Sequence, residues 1–140
     1  MSRVFLTRLD QIQPSQLFIS SEKLSQVMGD SNGLTVESVE PILIKKLGKE
    51  VIFTDGHTRA LATYLCGIPE VSVFWDEDEL NWEAYQICVK WCKEEGAYTI
   101  ADLKDRVVSL EKYETLWIKR CAAMHHDPRV RRNHDKYADM

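Results

Sequence analysis

The residues most able to do chemistry lie in one short stretch, Thr54-Asp-Gly-His-Thr-Arg59, called the box below. An apolar run precedes the box and an Ala-rich run follows it, a pattern that predicts a strand leading directly into a helix. The first N–H groups of such a helix have no partners within the helix. Together with the positive end of the helix dipole, they form a site that favours an anion.

The side chains of the box match a phosphate site. His57, Thr58 and Arg59 supply an imidazole, a hydroxyl and a guanidinium, and a guanidinium can pair with phosphate through two hydrogen bonds. Gly56 lets the backbone turn sharply and approach a ligand closely. Asp55 would lie beside the anion, where a carboxylate is useful with a metal, a proton to accept or a hydroxyl to orient. The box therefore predicts phosphate chemistry or nucleotide binding.

A purely structural explanation of the box stays open at this stage. Asp-Gly is a common turn, His57 can cap the helix, and Arg59 can pair with Asp55. Other clusters predict less chemistry. Cys88 and Cys92 share a helical face, which is more typical of buried thiols than of metal ligands. The acidic run 76–79 is most simply a solvated connector.

The composition excludes several classes of protein. A chain of 140 residues, with 44% apolar and 29% charged residues, is typical of one globular domain or one domain with a small appendage. It has neither an apolar run of about 20 residues nor a secretory signal, so we expect a cytoplasmic protein without membrane contact. The net charge of −4 argues against general DNA binding. The four scattered cysteines are typical of reduced thiols.

The pattern of elements predicts class α+β, with a small mixed sheet and helices over 1–78, a helical extension of the same domain over 79–124, and a polar tail over 125–140. In the core we expect strands at 4–9, 41–47, 50–54 and 70–75, a tight turn at Gly48-Lys49, and a helix after Ser20 that ends in a turn at 29–33. In the extension, Asn81 caps a helix through Glu95, and Thr99 caps a second helix. The inward side chains predicted for that second helix are Leu103, Val107, Leu110, Leu116 and Trp117.

The stretch from Glu40 to Ala62, followed by Gly67-Ile-Pro-Glu-Val-Ser-Val73, resembles the ParB/sulfiredoxin-like superfamily. The resemblance consists of a Pro-apolar strand, a hairpin, the box, an Ala-rich helix, a Gly and a Val-x-Val strand in the same order. It covers about the first half of the chain. It implies that the box binds nucleotide phosphates at the helix N-terminus, through Gly56, His57, Thr58 and Arg59.

Details of the box distinguish among members of this superfamily. Sulfiredoxins place a catalytic Cys just before the His, and this chain has none between Gly56 and His57. Chromosome-partitioning ParB proteins carry a second Arg where this chain has Thr58. The form Asp-Gly-His-x-Arg more closely resembles the ParB-like free-serine kinases, in which the Asp takes part in catalysis and an N-terminal Glu assists. The resemblance implies a catalytic role for Asp55, with His57 beside it and Glu22 or Glu40 as the assisting acid.

The sequence thus predicts a phosphate-binding and nucleotide-binding domain, with two functions in view. The first is an ATP- or ADP-dependent small-molecule kinase, or a nucleotide hydrolase, acting with Mg²⁺ on a hydroxyl-bearing substrate. The second is a non-catalytic module that senses a nucleotide, with CTP as a further candidate, and docks a partner or DNA in a role like chromosome or plasmid partition. No metal site formed by the protein alone is predicted, and we expect no tight duplex binding by this chain alone.

Overall fold

The computed structural model describes residues 3–29 and 34–126 and has the α+β architecture expected from the sequence. Its main sheet has four strands in the order β1-β5-β3-β4. The strands are β1 Phe5–Arg8, β3 Ile42–Leu47, β4 Glu50–Phe53 and β5 Glu70–Trp75. The neighbouring pair β3 and β5 is parallel, whereas β1 and β4 run antiparallel to their neighbours. A second, two-stranded sheet pairs β2 Ile19–Ser20 with β6 Val107–Val108 in parallel.

The helices begin where the sequence provides caps. Ser20 accepts the N–H of Lys23 at the start of α1, Ser21–Met28. Asn81 accepts the N–H of Ala84 at the start of α3, Trp82–Glu94. Between them, α2 spans His57–Leu65 and follows the box directly. These starts agree with the sequence because a side-chain cap is a local signal.

The central strands and α2 share one apolar core. Ile42 and Ile44 of β3, Val73 of β5 and Leu61 of α2 are almost fully buried in it. The same cluster continues into the extension through residues that include Ala84, Cys88, Leu103, Trp117 and Met124. The C-terminal helices therefore pack on the sheet domain, and the N-terminus of α2 lies at the edge of this shared core.

The prediction of a single continuous helix after Thr99 is wrong. Ile100–Arg106 forms a 3₁₀ segment, and Val107–Val108 then leaves it to pair with β2. Two consecutive β-branched residues favour an extended backbone, and Ser109 caps a new helix by accepting the N–H of Lys112.

That new helix runs as α4 Leu110–Tyr113, a π-helical turn Glu114–Ile118, and α5 Lys119–His125. Leu103 and Trp117 are buried as expected, Val107 is half-buried, and Leu110 and Leu116 are exposed. Leu110 and Leu116 were expected to face the core because the predicted helix ran without interruption through the residues that form β6.

The structure also corrects the expectations for Asp76 and His125. Asp76, assigned to a solvated connector, is buried and accepts hydrogen bonds from the Thr54 hydroxyl and the Asp78 N–H. His125, assigned to the polar tail, is the last residue of α5. The remainder of that tail from 127 onward and residues 30–33, which belong to the turn expected after the first helix, lie outside the described residues. Within the described ranges, no helix is both long enough and apolar enough to cross a membrane.

Candidate functional site

The first residue of the box is fixed from three sides. Thr54 donates its N–H to Leu43 of β3 and its hydroxyl to Asp76 at the end of β5, and its carbonyl accepts the phenol of Tyr85 from α3. Burial, reinforced by nearby carboxylates, raises the pKa of Tyr85 to about 12, so the phenol remains a donor at neutral pH. The turn between β4 and α2 is therefore held to the sheet and to the extension at once.

Gly56 makes the turn into α2. Its φ is +76°, a left-handed conformation that favours glycine, and it is the residue before the first helical position. A Cβ at this position would lie 2.9 Å from both the Ile42 Cγ2 and the Arg59 Nη2 atoms. Gly56 has no side chain to cap the helix, so the first turn of α2 keeps its N–H groups available to a ligand.

An open cavity of about 500 Å³, called the anion cavity, lies over this first turn. It is lined by Gln16, Lys23, Gln26, Val27, Asp55, Gly56, His57, Thr58, Arg59 and Tyr113. Five predicted box residues, 55–59, are thus brought together on one wall. Helix α1 packs against α2 and supplies part of the cavity lining. Lys23 is therefore a second cation on the wall of the same cavity.

The two cations are positioned by different contacts. Lys23 places its Nζ 5.2 Å from the centre of the Tyr113 ring, a cation–π contact that holds the ammonium at the cavity wall. Arg59 donates from Nη1 to the backbone carbonyls of Glu40 and Pro41, at 3.3 Å and 3.4 Å. These two bonds are long. The other terminal nitrogen, Nη2, lies beside Gly56, and Arg59 and Lys23 both line the cavity, so both cations can reach an anion at the helix N-terminus.

His57 is positioned by its hydrogen bond to the preceding loop. It is only 4% exposed, and its Nε2 accepts the N–H of Ser15 at 2.9 Å, while the Ser15 hydroxyl donates to the Phe53 carbonyl. Burial lowers the pKa of His57 to about 4, although the charge of Asp55 opposes this. The imidazole is therefore neutral at pH 7 and adds no positive charge to the cavity. Its backbone N–H, at the first helical position, is what it offers to an anion.

Asp55 lies where two cavities meet. Its Oδ1 accepts the Gly56 N–H at 2.7 Å, and its exposed carboxylate lines both the anion cavity and a second cavity of about 330 Å³. The second cavity is bounded by α3, the π-helical turn and α5, through Asn81, Ala84, Tyr85, Cys88, Trp117, Cys121, Met124 and His125. Ser15, Gln16, Thr54 and His57 complete its lining. A group placed between the cavities would contact the Asp55 carboxylate from either side.

One donor in the second cavity has no acceptor. The Oδ1 of Asn81 is used as the cap of α3, whereas its Nδ2 is buried and has no hydrogen-bond partner among the described residues. A buried amide donor without a partner costs about 1–3 kcal/mol. An oxygen of a bound ligand would remove that cost, which makes the second cavity suitable for a polar small molecule.

The two predicted assisting acids are placed differently. Glu40 is largely exposed, and its Oε2 lies 3.6 Å from the Arg59 Nη1. Glu22 is exposed in the first turn of α1 and lines neither cavity. Arg59 thus pairs with Glu40, and the pairing with Asp55 considered from the sequence is not the one observed. Within 3–29 and 34–126, no group of three His, Cys, Asp or Glu residues is arranged to hold a metal ion.

Several residues of the site were not found by reasoning from the sequence. Lys23 and Tyr113 come from helices distant in sequence, and Ser15 and Asp76 act through hydrogen bonds to the strand and turn. The cap at Ser20 did place Lys23 in the first turn of a helix. No local signal indicated that this helix would pack beside α2.

Comparisons with known proteins give information on the fold only. No family model matches the chain, and no curated protein matches it. Among solved structures, the fold is similar to that of protein Atu1540 from Agrobacterium tumefaciens, with a TM-score of 0.51 and 11% sequence identity. The match covers 74% of this chain and 62% of that one, so the chain spans less than two thirds of the length of Atu1540.

Proposed function

We propose that this chain is a ParB/sulfiredoxin-like domain that binds the phosphates of a nucleotide in the anion cavity. The observation that carries this proposal is the convergence of Lys23, Arg59 and the uncapped N-terminus of α2 on one open cavity. Three independent sources of positive potential at one point favour a multiply charged anion over a single carboxylate. The cavity volume of about 500 Å³ leaves room for more than one phosphate group.

We propose further that the domain transfers a phosphoryl group to a small hydroxyl-bearing substrate. Asp55 faces the anion cavity on one side and the second cavity on the other, which is the position required to orient an acceptor hydroxyl toward a bound phosphate. The buried Asn81 amide supports this use of the second cavity, because an oxygen of the substrate can accept its free N–H. Asp55 would then act as the base and Asn81 as a positioning residue.

A magnesium ion fits this arrangement as a companion of the nucleotide. Mg²⁺ in nucleotide sites is held by one or two carboxylates together with phosphate oxygens, and Asp55 is an exposed carboxylate on the cavity wall. The ion would neutralise charge on the phosphates, and it would reduce their repulsion by Asp55.

A second candidate function is a nucleotide sensor without transfer activity. It is favoured by the hydrogen bond from the Gly56 N–H to Asp55, which gives this acid a structural role in the turn. It is also favoured by the positions of the predicted assisting acids, since Glu40 lies against Arg59 and Glu22 is outside both cavities. We propose a cytoplasmic location for either function, on the sequence evidence alone.

Calorimetric titration with ATP, ADP and CTP, each with and without Mg²⁺, tests the binding proposal. Lys23→Ala should weaken the affinity for the bound nucleotide by about tenfold or more, since a hydrogen bond to a charged group contributes about 1.5–3 kcal/mol. Lys90→Ala removes the same charge from an exposed position on α3 outside both cavities, and it should leave the affinity unchanged.

The titration has two outcomes that would overturn the proposal. One is the absence of heat with all three nucleotides at high protein concentration. The other is an equal loss of affinity in Lys23→Ala and Lys90→Ala, which would show only the general effect of removing a positive charge. Incubation with γ-labelled nucleotide and a set of small alcohols then separates the enzyme from the sensor.

A further inference from the structure

We propose that Cys88 and Cys121 are a redox-modification site, at which a hydroperoxide converts the two thiols into a disulfide that joins α3 to α5. This inference is independent of the nucleotide proposal, because it concerns the far wall of the second cavity. Its reactant is hydrogen peroxide or a small organic hydroperoxide.

The geometry brings two thiols together at an accessible surface. Cys88 lies on α3 and Cys121 on α5, both side chains line the second cavity, and each thiol shifts the pKa of the other, as neighbouring groups do. Cys88 is buried and Cys121 is half-buried, so the cavity is the route by which a small oxidant reaches them. Cys92 lies one helical turn beyond Cys88, is fully buried and does not line the cavity.

The surroundings assign different roles to the two sulfurs. The hydrogen bond from Cys88 lowers the pKa of Cys121, and the guanidinium of Arg120 acts in the same direction. The same hydrogen bond, together with burial, raises the pKa of Cys88. A thiolate is the attacking form of cysteine. Cys121 is also the more exposed of the two side chains, so it is the sulfur that meets the oxidant, and the buried Cys88 is the one that resolves the product.

The reaction balances in two steps. The Cys121 thiolate attacks one oxygen of hydrogen peroxide, an S–O bond forms, the O–O bond breaks, and the leaving hydroxide takes up a proton to become water. The Cys88 sulfur then attacks the sulfenic sulfur of Cys121, an S–S bond forms, the S–O bond breaks, and the departing hydroxide takes the Cys88 proton to become a second water. Two thiols supply two electrons to one peroxide.

The disulfide would change the second cavity and leave the anion cavity as it is. It would join two walls of the second cavity, next to Trp117 and Met124 on its lining. Lys23 and Arg59 line the anion cavity and not the second cavity, so nucleotide affinity should be the same in the oxidised and reduced protein. A thiol reductant would convert the disulfide back to the two free thiols.

Peptide mapping tests the proposal in a Cys66→Ser background, since Cys66 is exposed and would otherwise link two molecules. In that background the tryptic peptide 60–90 contains only Cys88, the peptide 91–93 contains only Cys92, and the peptide 121–129 contains only Cys121. After stoichiometric peroxide and digestion without reductant, we expect 60–90 joined to 121–129. Dithiothreitol should separate the two peptides.

Single variants assign the order of the steps. Cys88→Ser should accumulate a sulfenic acid on Cys121, which dimedone traps. Cys121→Ser should slow peroxide consumption by about tenfold or more. Cys92→Ser is the control and should behave as the parent protein does. A link from Cys88 to Cys92, or free thiols at Cys88 and Cys121 after the exposed thiol of the unsubstituted protein has been oxidised, would overturn the proposal. If a serine variant fails to fold, fragment-ion sequencing of the linked peptide from the unsubstituted protein provides the answer, because it distinguishes Cys66 from Cys88 within 60–90.

Discussion

The Nε2 of His57 accepts the backbone N–H of Ser15 at 2.9 Å, which ties the first residue of α2 to the loop after β1. This bond requires a neutral imidazole with its proton on Nδ1, because a protonated ring would present an N–H to another N–H. The ring also contacts Phe53 edge-on, with 5.6 Å between the ring centres. The sequence suggested His57 as a phosphate ligand or catalyst. In the structure it is a buried residue whose side chain connects α2 to the loop after β1.

The protein should therefore lose stability in mild acid through His57. The pKa of this group is lowered from 6.5 to about 4 in the folded protein, so between these values the unfolded chain binds a proton that the folded chain does not. The free energy of unfolding must fall as the pH falls across this window, by about 2 kcal/mol between pH 7 and pH 5. Urea denaturation at several pH values measures the slope.

His57→Gln is the matched control for this slope. The glutamine carbonyl can still accept the Ser15 N–H, but it does not titrate in this range. The variant should be less stable at pH 7 and should show a shallower loss between pH 7 and pH 5. Equal slopes in the two proteins would contradict a buried, neutral His57.

Gly56→Ala should damage both the fold and the site. A left-handed backbone costs a non-glycine residue about 1–2 kcal/mol, and the added methyl would also press on Ile42 and on the Arg59 guanidinium. Gly67→Ala is the control, since Gly67 has a similar φ of +79° and no atom within 4 Å of the added Cβ. Thermal unfolding should show the larger loss for Gly56→Ala, and nucleotide affinity should fall in that variant alone.

Local signals explain what the sequence could predict. The caps at Ser20 and Asn81 and the turn at Gly48 each act through neighbouring residues, so the starts of α1 and α3 and the β3–β4 hairpin were foreseen. The strand at Val107–Val108 was not predicted, because it forms only through pairing with β2. A pattern of apolar spacing cannot distinguish a helix that continues from one that a distant strand interrupts.

In the candidate site, too, the features formed by neighbouring residues were predicted and those formed by distant packing were not. The box lies on consecutive residues, so its turn and helix start were readable, and the structure places 55–59 on one cavity wall. Lys23 and the second cavity depend on how α1, α3 and α5 pack, which no short pattern records. The burial of Asp76 was missed for a similar reason, since an acid within a charged run is usually solvated, and this one accepts the Thr54 hydroxyl at 3.0 Å.

Arg59 and Glu40 should have opposite effects on nucleotide affinity. Arg59→Ala should weaken binding by about 1.5–3 kcal/mol, whereas Glu40→Gln removes a carboxylate that lies 3.6 Å from the guanidinium and should tighten binding slightly. Titration calorimetry at two salt concentrations measures both. If Glu40→Gln instead leaves binding unchanged and abolishes phosphoryl transfer, Glu40 is the assisting acid and its contact with Arg59 is secondary.

Asp55→Asn separates an enzyme from a sensor. Without Mg²⁺, a carboxylate beside a phosphate site repels the ligand, so its removal should leave the nucleotide affinity measured without Mg²⁺ similar or tighter. The amide oxygen can still accept the Gly56 N–H, so the turn should survive. In a kinase the same change removes the base and should lower phosphoryl transfer by about 100-fold or more. Transfer is measured with labelled ATP, and affinity is measured on the same preparation.

Asp76→Asn is the control, because Asp76 holds Thr54 in place and lines neither cavity. It should lower stability, and it should lower transfer much less than Asp55→Asn does. A sensor would show unchanged or tighter nucleotide binding in Asp55→Asn and no transfer in any variant, the parent included. A third result, in which Asp55→Asn unfolds the protein, would mean that Asp55 serves the turn through Gly56, and the catalytic assignment of this residue would be withdrawn.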